Sequence, residues 1–286
     1  MKKILFILCL ATFSLLIISC SVQNQDNAGK PNGKLYIIGG GDRPTEMVQQ
    51  LIDLSEVEFG RYIIVLPMSS EDVDTAAYYS MKQFKDLGVS NITWFNFKKD
   101  ELMEQTKLDS LINAGMIYIS GGDQNRFMEI ANGTPLVDAI HQAYHKGAII
   151  AGTSAGAAVQ SKKMITGNQH LHPDMKGYKT IQPKNIEIAE GLGLIESAII
   201  DQHFIWRERM NRLISVCIEN PNELAIGIDE STAILVDNNV ATVYGKGQVL
   251  VLNATQANIF SSDSLLGAEN IRINLYLPGQ SFNLKP

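Results

Sequence analysis

Ala148-Ile149-Ile150-Ala151-Gly152-Thr153-Ser154-Ala155-Gly156-Ala157-Ala158 is the stretch on which the fold of this chain turns. An apolar run, a serine between small residues and a pair of alanines read as a strand, a tight turn and the start of a helix. Gly-x-Ser-x-Gly at such a junction is the pattern of a nucleophile elbow. The turn holds its serine in a strained backbone conformation, so close neighbours must be small, and Gly152, Ala155 and Gly156 are. The serine then projects at the carboxyl end of the strand, where open α/β sheets place their sites. Free N–H groups of the helix that begins there can stabilise an oxyanion. A glycine- and alanine-rich turn with an incidental serine has the same pattern, so the flanks must decide.

The flanks repeat the strand-then-helix theme. Apolar, β-branched runs at 35–38, 62–66, 92–97, 116–119, 148–151 and 198–200 alternate with amphipathic segments at 44–54, 75–87, 135–145 and 205–218. Near-continuous apolar runs indicate strands covered on both faces. Their alternation with helices predicts an α/β fold with a mostly parallel sheet and helices on both faces. After residue 218 the texture changes. Apolar runs at 224–228, 232–236, 241–244 and 248–252 follow one another through turns such as Asp237-Asn238-Asn239 and Gly245-Lys246-Gly247. That pattern predicts a C-terminal β-meander.

Two further glycine turns end strands. Gly39-Gly40-Gly41-Asp42 follows the first run, and Ser120-Gly121-Gly122-Asp123-Gln124 follows 116–119. Neither fits a dinucleotide fingerprint or a phosphate loop. An amide of the second turn, at Gly122, can complete an oxyanion hole with the N–H of Ala155, whereas Gly39–Gly41 reads equally well as a plain turn. A serine nucleophile needs a base, usually histidine. Of the five histidines, His141 and His145 are one helical turn apart and read as a polar helix face, and His170 and His172 lie in a loop. His203, in Asp201-Gln202-His203-Phe204, ends a strand just before a helix and is expected to approach Ser154 from the same sheet. Glu230, in Gly227-Ile228-Asp229-Glu230-Ser231, is the first choice for the carboxylate that orients the imidazole, with Asp174 and Asp229 as alternatives. The order Ser, His, acid differs from the α/β-hydrolase order. Arg207, Arg209 and Arg212 follow His203. Guanidinium groups bind carboxylates bidentately, so this cluster suits a carboxylate-bearing substrate.

Ser120-Gly121-Gly122-Asp123-Gln124, the elbow, and Asp201-Gln202-His203-Phe204 with its three spaced arginines together resemble the serine peptidase family that holds cyanophycinase and aspartyl dipeptidase (peptidase E). The likeness runs from about Lys34 to about Leu252. It implies a flavodoxin-like fold related to class I glutamine amidotransferases and a serine mechanism that uses neither metal nor cofactor. In it Ser154 attacks, His203 relays the proton and Glu230, by its place in Gly-Ile-Asp-Glu, orients the base. Gln124, Asp201, Gln202, Arg207, Arg209 and Arg212 match the substrate pocket of cyanophycinase. Cyanophycin is a poly-aspartate with arginine on each β-carboxyl, and its cleavage releases β-Asp-Arg dipeptides. The implied activity is hydrolysis of aspartyl or β-aspartyl linkages in a peptide or polyamide. The alternatives are an aspartyl dipeptidase for short Asp-X peptides and a surface-binding protein without turnover.

The first residues bear on compartment. Met1-Lys2-Lys3 and the apolar run 4–18 have the layout of a secretory signal. That run is shorter than the ~20 residues of a spanning helix. It ends in Ile17-Ile18-Ser19-Cys20, which resembles a bacterial lipobox, so residues 1–19 are expected to be a signal peptide and Cys20 to carry acyl chains that hold the protein to a membrane of the cell envelope. Residues 20–33 then form a polar tether, and 34–286 one domain. Cys9 falls in the signal, and Cys217, in an apolar helical pattern, is expected to be buried and uninvolved in catalysis. The 286 residues are 45% hydrophobic and 19% charged, with a formal net charge of −6. An acidic balance has no general attraction for nucleic acid. A homodimer is compatible with the sequence.

Overall fold

The structure, a computed structural model, describes residues 30–99 and 101–285. The expected signal segment, Cys9, Cys20 and most of the tether lie outside them.

Five parallel strands form the frame: β1 (Lys34–Ile38), β2 (Ile63–Leu66), β3 (Ile92–Trp94), β4 (Met116–Ile119) and β5 (Ile149–Thr153), in the spatial order β1-β5-β4-β2-β3. Their apolar runs are continuous because each strand feeds two layers. β1 sends Leu35 and Ile37 into one core and Tyr36 and Ile38 into the other, and β4 divides Ile117 and Ile119 from Met116 and Tyr118 in the same way. Helices α1 (Thr45–Ser55) and α2 (Val73–Lys85) cover the second core with Met47, Leu51 and Phe84. Helices α3 (Gln105–Ile112), α4 (Gln124–Ala131) and α5 (Pro135–His145) cover the first with Leu111, Phe127 and Ile140. Only β3, at the edge, lacks a fully buried residue.

A four-residue helix, α6 (Ala155–Ala158), follows β5 directly. A two-stranded ladder, β6 (Lys163–Gln169) with β7 (Ile186–Glu190), comes next. β8 (Ala198–Gln202) then pairs in parallel with β9 (Leu224–Ile228), and α7 (Met210–Glu219) connects them.

The C-terminal strands are present at the expected positions, and the structure shows how they pair. β10 (Thr232–Asp237) and β11 (Val240–Gly245) form a hairpin that extends the large sheet beyond β1. β12 (Val249–Asn253) returns instead to β9, in a second sheet. A short ladder, β13 (Asn258–Ser261) with β14 (Leu266–Glu269), leads to β15 (Arg272–Tyr276), which pairs with β12, and β16 (Ser281–Asn283) closes the large sheet beside β11. The four strands from β9 to β12 are therefore shared between two sheets of order β16-β11-β10-β1-β5-β4-β2-β3 and β15-β12-β9-β8. The inner face of the second sheet, with Ile200, Ile226 and Val251, joins the core of the first. This corrects one expectation: the strand before His203 is not in the same sheet as the strand before Ser154. The apolar run of β8 records that it is buried, but not beside which strand.

Candidate active site

Ser154 sits at the junction of β5 and α6 with φ 54° and ψ −110°, a conformation that costs a side chain of order 1–3 kcal/mol. Surrounding bonds hold it there. Its N–H donates to the Ile38 carbonyl at 3.0 Å, and its own carbonyl accepts from Ala157 and Ala158 at 3.0 and 3.1 Å. The strict size limit is real: a Cβ on Gly152 would lie 2.0 Å from the Gly156 carbonyl oxygen.

His203 ends β8 in a left-handed conformation, φ 48°, and its N–H donates to the Gly39 carbonyl at 2.7 Å. This bond ties the end of the second sheet to the end of β1 in the first. The imidazole is thereby brought to Ser154. Nε2 lies 2.8 Å from Ser154 Oγ, and Nδ1 lies 2.5 Å from Glu230 Oε1. Of the three candidate carboxylates, only Glu230 meets the ring. Asp229 turns to the backbone and accepts the N–H groups of Ile205 and Trp206 at 3.1 and 3.0 Å, pinning the turn after His203. Asp174 is exposed in the long connection between β6 and β7.

Burial pushes the His203 pKa below its ordinary value, and the charges of Arg207 and Arg209 push the same way, against the hydrogen bond that Glu230 accepts and the charge it carries. The ring is therefore neutral at neutral pH, the form that can accept a proton. The turn Gly121-Gly122 faces the serine: a Cβ on Gly121 would be 3.4 Å from that of Ser154. Among the described residues, the N–H groups of Gly122 and Ala155 donate to no carbonyl.

The glycine run after β1 has a role that a plain turn does not require. The His203 ring lies against Gly40, where φ is +109° and a Cβ would stand 2.2 Å from ring Cε1. The sequence signal was the run itself, since one glycine suffices for most turns.

The six residues matched to a substrate pocket separate into distinct groups. α7 begins at Met210, so residues 203–209 form turns and not the expected helical start, with Glu208 also left-handed at φ 52°. Arg207 and Arg209 consequently escape helical spacing and both line a cavity of about 440 Å³, with Gln169, Met175 and Tyr178. Arg209 Nη1 also donates to the carbonyl and to the side-chain Oε1 of Gln202, at 2.6 and 2.5 Å. Its pKa is pushed down to about 10, by burial first and then by Arg212, which leaves it charged at neutral pH. Arg212 does not line the cavity. It is 2% exposed, bonds both carboxylate oxygens of Asp201 and lies 4.4 Å over the Tyr178 ring. Arg212 Nη1 also donates to the Tyr178 hydroxyl, and Arg209 Nη1 lies 3.6 Å from Asp201 Oδ1, so Arg212 and Asp201 hold two residues of the cavity wall in place. Gln124 donates to the carbonyls of Ile165 and Thr166 at 2.9 and 2.8 Å and so fastens α4 to β6. A second cavity, of about 690 Å³, shares Asn168 with the first and carries Asp123, Glu129, Glu187 and Glu190.

Cys217 is buried, with its thiol pushed up to about 11 by burial. His141 bonds the Leu192 carbonyl and His172 bonds Gln182, each at 2.6 Å. Among the described residues there is no group of three or more metal-ligating side chains, and no helix is long and apolar enough to cross a membrane.

The sequence pattern of Peptidase family S51 matches residues 35–244. A cyanophycinase of Nostoc sp. is 31% identical over 232 residues, covering 78% of this chain and 75% of its own length. A cyanophycinase of Synechococcus elongatus is 28% identical over 264 residues, covering 88% and 80%. Among solved structures, a peptidase from an acI-B1 Actinobacterium superposes with a TM-score of 0.65 at 21% identity, covering 89% of this chain and 98% of that one. A putative peptidase E protein from Listeria monocytogenes EGD-e gives 0.53 at 15% identity, with coverage of 75% and 99%. These two share the fold.

Proposed function

The chain belongs to peptidase family S51 and is a serine peptidase; from that premise we propose that it hydrolyses aspartyl or β-aspartyl linkages through an acyl-enzyme on Ser154. The observation that carries the mechanism is the single imidazole bonded on one side to Ser154 Oγ and on the other to Glu230. His203 Nε2 takes the hydroxyl proton as Oγ attacks the scissile carbonyl, and Nδ1–H donates to Glu230, which holds the tautomer and orientation. The oxyanion accepts hydrogen bonds from the N–H groups of Gly122 and Ala155, each such donor being worth roughly 10²–10³ in rate. His203 Nε2 then delivers the proton to the leaving amine. In the second half, water gives a proton to Nε2 as it attacks the ester, and the acid product leaves with Ser154 Oγ–H restored.

The substrate class follows from charge. Arg207 and Arg209 face one cavity and suit a carboxylate near the scissile bond. The likeness to cyanophycinases makes the aspartyl polymer the first substrate to try. Gln202 positions Arg209, while Gln124, Asp201 and Arg212 support the pocket from behind. At the other end of the chain, acylation at Cys20, after removal of residues 1–19, is proposed to hold the domain at a membrane of the cell envelope. Loss of fatty-acid labelling in Cys20→Ser tests that part.

Purified chain and its Ser154→Ala variant would be incubated with cyanophycin, and dipeptide release followed by mass spectrometry. The expected result is β-Asp-Arg from the parent and a loss of kcat of at least about 10⁴-fold in the variant. Turnover of short Asp-X peptides with none of the polymer would replace the substrate with a dipeptide. No turnover, together with failure of a serine-directed phosphonate to label Ser154, would leave a binding protein.

A further inference from the structure

The glycine turn after β1 touches both the base and the acid, and a side chain outside the triad braces it. Three consecutive carbonyls of the turn are each engaged. The Gly39 carbonyl accepts the His203 N–H at 2.7 Å, the Gly40 carbonyl accepts the Ser231 N–H at 2.8 Å, and the Gly41 carbonyl accepts Arg43 Nη1–H at 3.0 Å. The first bond fixes the backbone of the base, and the second fixes the backbone next to the acid. The third comes from a side chain. Packing follows the same order. A Cβ on Gly40 would meet the His203 ring, and a Cβ on Gly41 would stand 2.7 Å from Glu230 Cβ and 2.9 Å from its Oε2. The imidazole takes Oε1, and among the described residues Oε2 bonds no donor. The Glu230 side chain is 25% exposed, so the wall at Gly41 limits how far the carboxylate can swing.

Arg43 is anchored in turn. Its Nε–H donates to Gln83 Oε1 at 2.6 Å, and Gln83 Nε2–H donates to the Ser80 carbonyl, one turn back in α2, at 3.0 Å. That second bond orients the Gln83 amide with its oxygen toward the guanidinium. A rigid planar fork serves two acceptors in fixed directions, which an ammonium on a flexible stem does not. The path therefore runs from α2 through Gln83 and Arg43 to Gly41, and from Gly41 to the acid beside it.

We propose that Arg43 is a positioning residue of the reaction, which through Gly41 holds the Glu230 carboxylate against the His203 imidazole. Resting on the catalytic reading above, this role adds a residue that touches neither substrate nor reacting atoms. Its charge is not what acts on the ring. The charged groups that do are Glu230, from the turn after β9, and Arg207 and Arg209, from the segment after β8. Ser154 and Gly40 face the ring uncharged, and Asp229 is turned to the backbone. The hydrogen bond and the charge of Glu230 raise the His203 pKa against burial. When the brace is lost and the carboxylate drifts, that support weakens and the imidazolium is destabilised further. The pKa then falls, and the acid limb of any reaction that needs the neutral ring moves to lower pH. Removing a cation that acts on the ring directly would move the limb the other way.

The test follows the rate at which a serine-directed phosphonate labels Ser154 in the full chain, as a function of pH, so that it needs no knowledge of the natural substrate. Arg43→Ala should label about 10- to 100-fold more slowly than the parent, the scale of a misplaced catalytic group, with its acid limb at lower pH. Millimolar methylguanidinium should restore most of the rate and return the limb, because Arg43 is only half-buried and the vacated site is open to solvent. Gln83→Leu, which keeps the arginine and removes its anchor, should change rate and limb in the same direction by less, and it carries the test where Arg43→Ala does not fold. Labelling of both variants at the parent rate overturns the proposal. So does a slower rate with an unmoved limb and no response to methylguanidinium, which would make Arg43 a tie between loop and helix only. A parent that is not labelled at all overturns the serine mechanism itself, an outcome separate from either of these.

Discussion

The serine elbow, 152–156, and the segment that follows the base, 203–212, meet at one site but are built in opposite ways. The elbow is made of small residues whose constraints are met within a few residues and the adjoining strands: Gly152 against Gly156, Ser154 against Ile38. Its sterics leave one conformation. The 203–212 segment is made of long charged side chains whose roles come from distant partners. Three arginines within six positions end in three situations: Arg207 exposed on the cavity rim, Arg209 half-buried and shared with Gln202, and Arg212 sealed against Asp201. Short side chains read locally, and long ones take the meaning of whatever surrounds them.

Three substitutions press on that contrast. The largest effect is expected from Arg212→Met. Removing one partner of a fully buried ion pair costs about 3–5 kcal/mol, and here it leaves the Asp201 carboxylate with Arg209, 3.6 Å away, as its nearest cation. Thermal unfolding should show this as a lower melting temperature. An unchanged melting temperature would mean that Arg212 is free for substrate after all, and the division of the arginines would collapse.

Gly40→Ala comes next and tests whether the second glycine turn belongs with the elbow. The added methyl would overlap the His203 ring, so the imidazole must move. Displacement of about 1 Å from reacting geometry can cost ~10²-fold, and kcat should fall by that order while the folded state persists. A variant with full kcat would return Gly39–Gly41 to the status of a plain turn.

Arg207→Gln should have the smallest effect, and it separates the exposed arginine from the buried one. The parent's kcat/KM should fall with decreasing pH along a limb whose midpoint lies below 6.5, because burial and the two cationic neighbours hold the His203 pKa down. Removing the Arg207 charge relieves one of those destabilising influences on the imidazolium. The pKa then rises toward its ordinary value, and the limb moves to higher pH. KM for a carboxylate-bearing substrate should rise and the melting temperature should not change. A limb that stays in place would show that Arg207 does not act on the base.

Much of the site was legible because its residues occur at strand ends, where tight turns restrict the choice of residue. Ser154, His203 and Glu230 each come two or three residues after the end of an apolar run, so the residues that meet in space are those that the alternation of strands brings to one end of the molecule. The partner of the base was less legible. Asp229 and Glu230 are adjacent, and an extended backbone turns them to opposite sides. Which side faces His203 depends on where β9 lies, and β9 lies in the second sheet. The start of α7 was misplaced for a related reason. The amphipathic pattern runs from residue 205, but the left-handed His203 and Glu208 and the Asp229 carboxylate hold 203–209 in turns.

By itself the sequence determined the alternation of strands and helices that builds the parallel sheet, the elbow and its serine, and the place of the base after the nucleophile, since these rest on backbone sterics and on the periodicity of buried faces. Only the tertiary structure decided that base and nucleophile arrive from different sheets, that Glu230 and not Asp229 meets the imidazole, that Gly40 makes room for the ring, and that Arg212 is sealed away from the cavity. Each of those depends on a contact between segments far apart in the chain, and the residue types admit several partners until the packing of the two sheets selects one.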